Sequence, residues 1–172
     1  VLEEACRRCK LWNDNGYPDF YINVNLSVVQ LLQKNVVENI KRILDKTGVN
    51  PKNIVLEITE SFAINDMQRV MDIITGLKKL GPRIALDDFG TGNNNMMAVD
   101  IFAPHIVKLD RSLITDIEND VDKQEYYYYY RDSCHKRGIK VLAEGIESRE
   151  EYEFLRDNGI DLVQGFYLGR PE

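Results

Sequence analysis

No apolar run in this sequence approaches the length of a membrane span, and no signal-peptide pattern opens it. Basic residues are the minority, 22 Lys and Arg against 28 Asp and Glu, which leaves a net charge of −6. Nucleic-acid backbones are held by clustered positive charge, so this balance argues against a generic DNA binder. An acidic chain can still take a phosphate ligand if metal ions supply the positive charge. Cysteines number three, too few and too odd for a disulfide framework, and they point to a reducing cytosolic compartment. Cys6 and Cys9 have metal-like spacing but lack the second pair that a structural zinc needs, so they read as neighbours at i, i+3 on a helix. Gly145 and Gly165 do not make a glycine-rich or basic phosphate loop, which counts against a generic barrel acting on a phosphorylated metabolite. An initiator Met is missing, and no cap precedes the first amphipathic stretch, so the chain is expected to be a piece of something longer.

What is present is ordinary for a globular domain: 44% hydrophobic and 29% charged residues in 172, enough to bury a core. Helical periodicity runs over residues 1–12, 36–44, 66–80, 94–102, 124–136 and 148–158. Short apolar strands occupy 20–25, 54–60, 84–88, 106–110, 139–145 and 162–165. Ser27 is placed to cap a short helix, and Ser148-Arg149-Glu150-Glu151 is a capping box. The alternation predicts a parallel sheet with helices outside. The strand at 20–25 carries Asn23 and Asn25 on one face, which calls for polar partners. His105 reads as a loop residue after Pro104, and Glu118, Asp120, Asp122 and Glu125 as a solvated acidic loop and helix start. Five consecutive tyrosines, Tyr126 to Tyr130, must point all round a helix, leaving some exposed, as at a partner surface.

The organising stretch is Ile84-Ala85-Leu86-Asp87-Asp88-Phe89-Gly90-Thr91-Gly92. A buried-type strand ends in two adjacent carboxylates and a glycine-rich turn. Like charges at a strand end repel and are partly desolvated, so a positive partner is required, most simply a divalent cation with oxygen ligands. A solvated Asp-Asp turn is the plainer alternative. Every other strand also carries a polar residue near its C-terminal end: Asn25, Glu57, Lys108, Glu144 and Gln164. In a (β/α) barrel such ends converge on one rim, whereas in an open doubly wound sheet some would lie too far apart. The barrel is preferred, with about two of its eight strands missing from this chain.

In this order, Asn23-Val24-Asn25-Leu26-Ser27, Glu57-Ile58-Thr59-Glu60, Asp87-Asp88-Phe89-Gly90-Thr91-Gly92, Lys108-Leu109-Asp110, Ala143-Glu144-Gly145-Ile146-Glu147 and Gln164-Gly165 resemble the EAL family of cyclic di-GMP phosphodiesterases. The resemblance covers the whole chain and implies an α/β fold, a modified (β/α)8 TIM-type barrel with one strand reversed. It implies one or two Mg²⁺ or Mn²⁺ ions, with Asn25, Glu57, Asp87 and Asp88 as ligands. Glu144 would ligate metal or take a proton from the attacking water, Lys108 would steady that water and the phosphate charge, and Gln164 would orient water or substrate. Glu60 resembles the acid that braces the loop following Asp88, and Asp110, Gly92 and Glu147 fall at substrate-side positions. The implied reaction is hydrolysis of cyclic di-GMP to linear pGpG by a cytoplasmic domain. The implied partners are a second copy in a homodimer and an attached sensory or GGDEF-type domain. The alternative is an inactive receptor for the same dinucleotide.

Two departures from the family pattern stand out. The Glu-Ala-Leu segment that names the family belongs to the first barrel strand, expected upstream of residue 1, so this chain is expected to be the C-terminal three-quarters or so of such a domain and to lack one metal ligand. Asn93-Asn94-Asn95 stands where the family usually has Tyr-Ser-Ser.

Overall fold

Apolar β-branched runs bounded by turns give six strands, and longer amphipathic stretches give the helices between them. The computed structural model describes residues 1–59, 67–91 and 95–170. In chain order these form α1 (Leu2–Asp14), β1 (Ile22–Asn25), α2 (Val28–Leu31), α3 (Val36–Thr47), a 3₁₀ turn (Pro51–Asn53), β2 (Ile54–Thr59), α4 (Met67–Lys79) and β3 (Arg83–Phe89). There follow α5 (Asn95–Phe102), β4 (Ile106–Leu109), α6 (Arg111–Ile114), α7 (Val121–His135), β5 (Lys140–Ala143), α8 (Arg149–Asp157) and β6 (Leu162–Val163). The strand order, β1-β2-β3-β4-β5-β6, follows the chain without the reversal that defines an open doubly wound sheet. The pairs β1–β2, β4–β5 and β5–β6 are parallel. This is the β/α-barrel class that the strand-end pattern predicts.

The chain forms two compact units, Val1–Ala85 and Leu86–Glu172, with the division inside β3. In the first unit, β2 is buried along its length from Ile54 to Ile58, as expected of a parallel strand covered on both faces. Its helices present apolar stripes at helical spacing, Val36, Ile40 and Leu44 from α3, and Val70, Ile74 and Leu77 from α4. Gly48 ends α3 in the left-handed conformation, φ 64°, where a side chain is costly. Ser27 caps α2 in a full capping box with Gln30. Cys6 and Cys9 are buried one turn apart on α1, as their spacing predicts, and burial pushes the Cys6 thiol up to about 11.

In the second unit, β4 and most of β5 are buried, and the tyrosine-rich helix α7 begins at Val121, earlier than periodicity suggests. The reason is local: the Asp120 side chain accepts from Lys123 N at 3.1 Å and caps the helix. Of the five tyrosines, Tyr126 and Tyr129 are exposed, while Tyr127 is wholly buried and donates from its hydroxyl to Asn158 O at 3.0 Å. Tyr130 packs edge-on to Phe89, the last residue of β3, with ring centroids 5.0 Å apart. Tyr128 and Tyr130 are partly buried, so the run grades from core to surface. The short helix α6, which has no periodicity of its own to announce it, forms directly after β4.

Candidate metal centre

In the first unit, the β1–β2 register places Asn25 directly beside Glu57, both at the C-terminal ends of parallel strands. The Glu57 side chain lies on a nearly buried residue, 6% exposed, and Asn23 Nδ2 donates to its Oε1 at 2.7 Å. Period-two alternation puts Asn23, Asn25 and Glu57 on one face, and Asn23 supplies the partner that a buried carboxylate requires. The sequence places Asn23 on this face but does not show which carboxylate it serves. Leu26 N also donates to Glu57 O at 2.8 Å, fixing the backbone where the polar pair sits.

In the second unit the strand ends are stitched one to the next. Asp110 N donates to Phe89 O at 3.0 Å, Glu144 N to Leu109 O at 3.1 Å, and Gln164 N to Ala143 O at 2.9 Å. Lys108, the third residue of β4, is almost fully enclosed, its side chain 4% exposed. Its ammonium donates to Asp87 Oδ1 at 2.7 Å and lies 2.8 Å from Glu144 Oε1. A buried ammonium is tolerated only when paired, and here two carboxylates flank it.

Asp88 completes the cluster. Successive side chains of a strand point to opposite faces, which would separate Asp87 from Asp88. Asp88 has φ 55°, a left-handed conformation that Asp tolerates better than most residues, and this breaks the alternation. Carboxylate oxygens of Asp87, Asp88 and Glu144 consequently lie within 4.8 Å of one another. The Asp88 carboxyl is pushed above the usual carboxylate range by desolvation, then by the charges of Asp87 and Asp110, with Lys108 opposing. The turn beyond is tight: a Cβ on Gly90, φ 105°, would meet Leu113 Cδ1 at 2.2 Å.

An all-oxygen, all-carboxylate donor set with one member destabilised as an anion fits a hard divalent cation, Mg²⁺ or Mn²⁺, far better than a soft metal. Lys108 partly answers the need for positive charge that the Asp-Asp pair implied, since it already neutralises Asp87.

The remaining predicted residues fall as follows. Gln164 is exposed just beyond β6. Asp110 caps α6, its carboxylate accepting from Ser112 N at 2.8 Å. Arg111 does not pair with its neighbour Asp110; it pairs with Glu147 at 2.6 Å. Glu60, Gly92, Asn93 and Asn94 lie outside the described residues. Another buried carboxylate, Glu151, is 5% exposed and accepts from Glu147 N, Ser148 N and Asp116 N. The capping box was legible in the sequence; the bond to the loop at Asp116 was not.

The fold is a parallel β/α fold that carries a lysine-gripped carboxylate cluster, Asp87, Asp88 and Glu144, at its strand ends, an oxygen donor set suited to a hard cation. The chain belongs to the EAL domain family, whose model matches residues 1–171. It is 34% identical over 171 residues, 99% of this chain and 25% of the relative, to the bifunctional diguanylate cyclase/cyclic di-GMP phosphodiesterase MucR of Pseudomonas aeruginosa. It superposes on the EAL domain of Mycobacterium smegmatis DcpA with TM-score 0.93 and 29% identity, covering 99% of this chain and 77% of that one. It also superposes on Klebsiella pneumoniae BlrP1 in its manganese and cyclic di-GMP complex, with TM-score 0.86 and 29% identity, covering 99% and 44%. The chain spans about a quarter of the length of the curated relatives it matches. Among the described residues, no helix is long and apolar enough to cross a membrane.

Proposed function

We propose that this chain is the larger part of a domain that hydrolyses cyclic di-GMP to linear pGpG with Mg²⁺ or Mn²⁺. The observation that carries the reading is the Lys108 ammonium seated between Asp87 and Glu144, with Asp88 brought alongside by its left-handed backbone. Support also comes from family membership and from the manganese and cyclic di-GMP complex of BlrP1.

In the first unit, Asn25 and Glu57 are the proposed oxygen donors, with Asn23 holding the Glu57 carboxylate in place. In the second, Asp87 and Asp88 are the proposed ligands. A divalent cation there supplies Lewis-acid charge to the phosphoryl oxygens and a more acidic water. Glu144 accepts the proton of the attacking water as its oxygen bonds to phosphorus and the bond from phosphorus to the leaving ribose oxygen breaks. Lys108, paired with its two carboxylate neighbours, faces the negative charge that builds on the phosphoryl oxygens. Gln164 orients water or substrate from the end of β6. Asp110, Gly92 and Glu147 complete the substrate side. The chain works inside a longer cytoplasmic polypeptide, a reading supported by the greater length of its relatives and by the bifunctional name of MucR.

The test is incubation of the purified protein with cyclic di-GMP and Mn²⁺ or Mg²⁺, with pGpG measured by chromatography. Metal-dependent pGpG, reduced on the order of 10²-fold in Asp87→Ala, is the expected result. Binding without turnover would make the protein a receptor, and no binding by a folded sample would overturn the reading.

A further inference from the structure

Gly145 follows Glu144 immediately and has φ 72°. The stem of Arg111, the first residue of α6, lies directly across it. A Cβ on Gly145 would stand 2.7, 2.8 and 2.9 Å from Arg111 Cγ, Cβ and Cδ, closer than carbon atoms approach. Beyond the stem, Arg111 Nη2 reaches Glu147 Oε2 at 2.6 Å. The Arg111 side chain therefore crosses the turn 145–147 and is anchored on its far side.

Both ends of this crossing are fixed independently. Asp110 caps α6 through Ser112 N, which sets where the Arg111 stem begins. Glu147 N is held by Glu151, whose buried carboxylate also takes Asp116 N from the loop after α6. Upstream, the Glu144 amide is bonded to Leu109 O. Glu144 is thus bracketed, by the strand ladder on one side and by a turn clamped under an arginine on the other.

We infer that Arg111 is a positioning residue for Glu144, acting through Gly145 and Glu147. An exposed ion pair alone contributes little to stability, so the pairing of two half-exposed side chains needs another explanation. The apolar stem of arginine supplies packing, and the guanidinium supplies direction. A carboxylate that must meet a proton and a cation within tenths of an ångström gains from a turn that cannot rock.

The inference rests on the proposed hydrolysis for its kinetic arm only. Amide exchange at Glu144 is to be measured by NMR in the intact protein and in Arg111→Ala, Arg111→Lys and Glu147→Ala, beside kcat and KM for cyclic di-GMP. Exchange at Glu144 is expected to rise about tenfold in Arg111→Ala and Glu147→Ala, with partial rescue in Arg111→Lys. Arg111→Ala should lose about tenfold in kcat at nearly constant KM, with partial recovery in Arg111→Lys, a split that simple loss of stability does not give. Unchanged exchange in both alanine variants would overturn the positioning role whatever the turnover. A parent protein that never turns over, but whose Glu144 exchange responds as expected, would overturn the hydrolysis and uphold the clamp.

Discussion

Lys108 Nζ lies 2.7 Å from Asp87 Oδ1, and the lysine side chain is almost wholly withdrawn from water. The pair joins β4 to β3 at their C-terminal ends, and Glu144 at the end of β5 closes the other side of the ammonium. One cation therefore organises carboxylates from two neighbouring strands before any ligand arrives.

Removing that cation should leave two partly buried carboxylates facing each other. Lys108→Met is expected to lower thermal stability in the presence of chelator, since the surviving charges lose their counter-ion. Added Mn²⁺ should restore more of the melting temperature in Lys108→Met than in the parent. Turnover should remain on the order of 10²-fold down even with saturating metal. Thermal melts with and without Mn²⁺, paired with the pGpG assay, check both statements.

Glu151 should govern the acid limb of stability. Burial raises its carboxyl, but the amides of Glu147, Ser148 and Asp116 and the Ser148 hydroxyl outweigh that and leave it below the usual carboxylate range. A depressed folded value means that the stabilisation is present above the unfolded value and is lost as pH falls through the folded one. Glu151→Gln should therefore be less stable than the parent at neutral pH, with the gap closing below the ordinary carboxylate range. Denaturant melts across the acid range measure it.

Gly165 admits no side chain, because a Cβ there would lie 2.1 Å from Ile146 O and 2.3 Å from Ile146 N, both backbone atoms that cannot swing away. Gly165→Ala should cost about 1–3 kcal/mol or more. Gly169, with open space around it, is the control, and Gly169→Ala should melt within experimental error of the parent.

Among the tyrosines, burial separates effects that composition cannot. Tyr127→Ala removes a fully buried ring and should cost about 3–5 kcal/mol. Tyr129→Ala, at an exposed position, should stay within about 0.5 kcal/mol. Equilibrium unfolding of the two variants side by side distinguishes them.

Much of this could be read from one sequence, because strand length, helix period and capping are local. The run ending in Asp87-Asp88, the Ser148 box and the polar residues closing each strand all follow from neighbours within a few positions. Parallel pairing then follows from the alternation of strands and helices, while the register that sets Asn25 beside Glu57 came from the structure. Three things were beyond local reading. Helix α6 is too short to show a period, Asn23 gives no hint of which carboxylate it serves, and Arg111 sits beside Asp110 in sequence yet pairs with Glu147.

The sequence by itself determined which residues stand at the strand ends and that carboxylates dominate there, because side-chain chemistry and period-two alternation are written in the order of the chain. Only the tertiary structure decided how they are coupled. Lys108 grips Asp87 and Glu144 because parallel pairing brings separate strand ends together. Asp88 joins them because its backbone is left-handed, φ 55°, which redirects an aspartate that alternation would have pointed away.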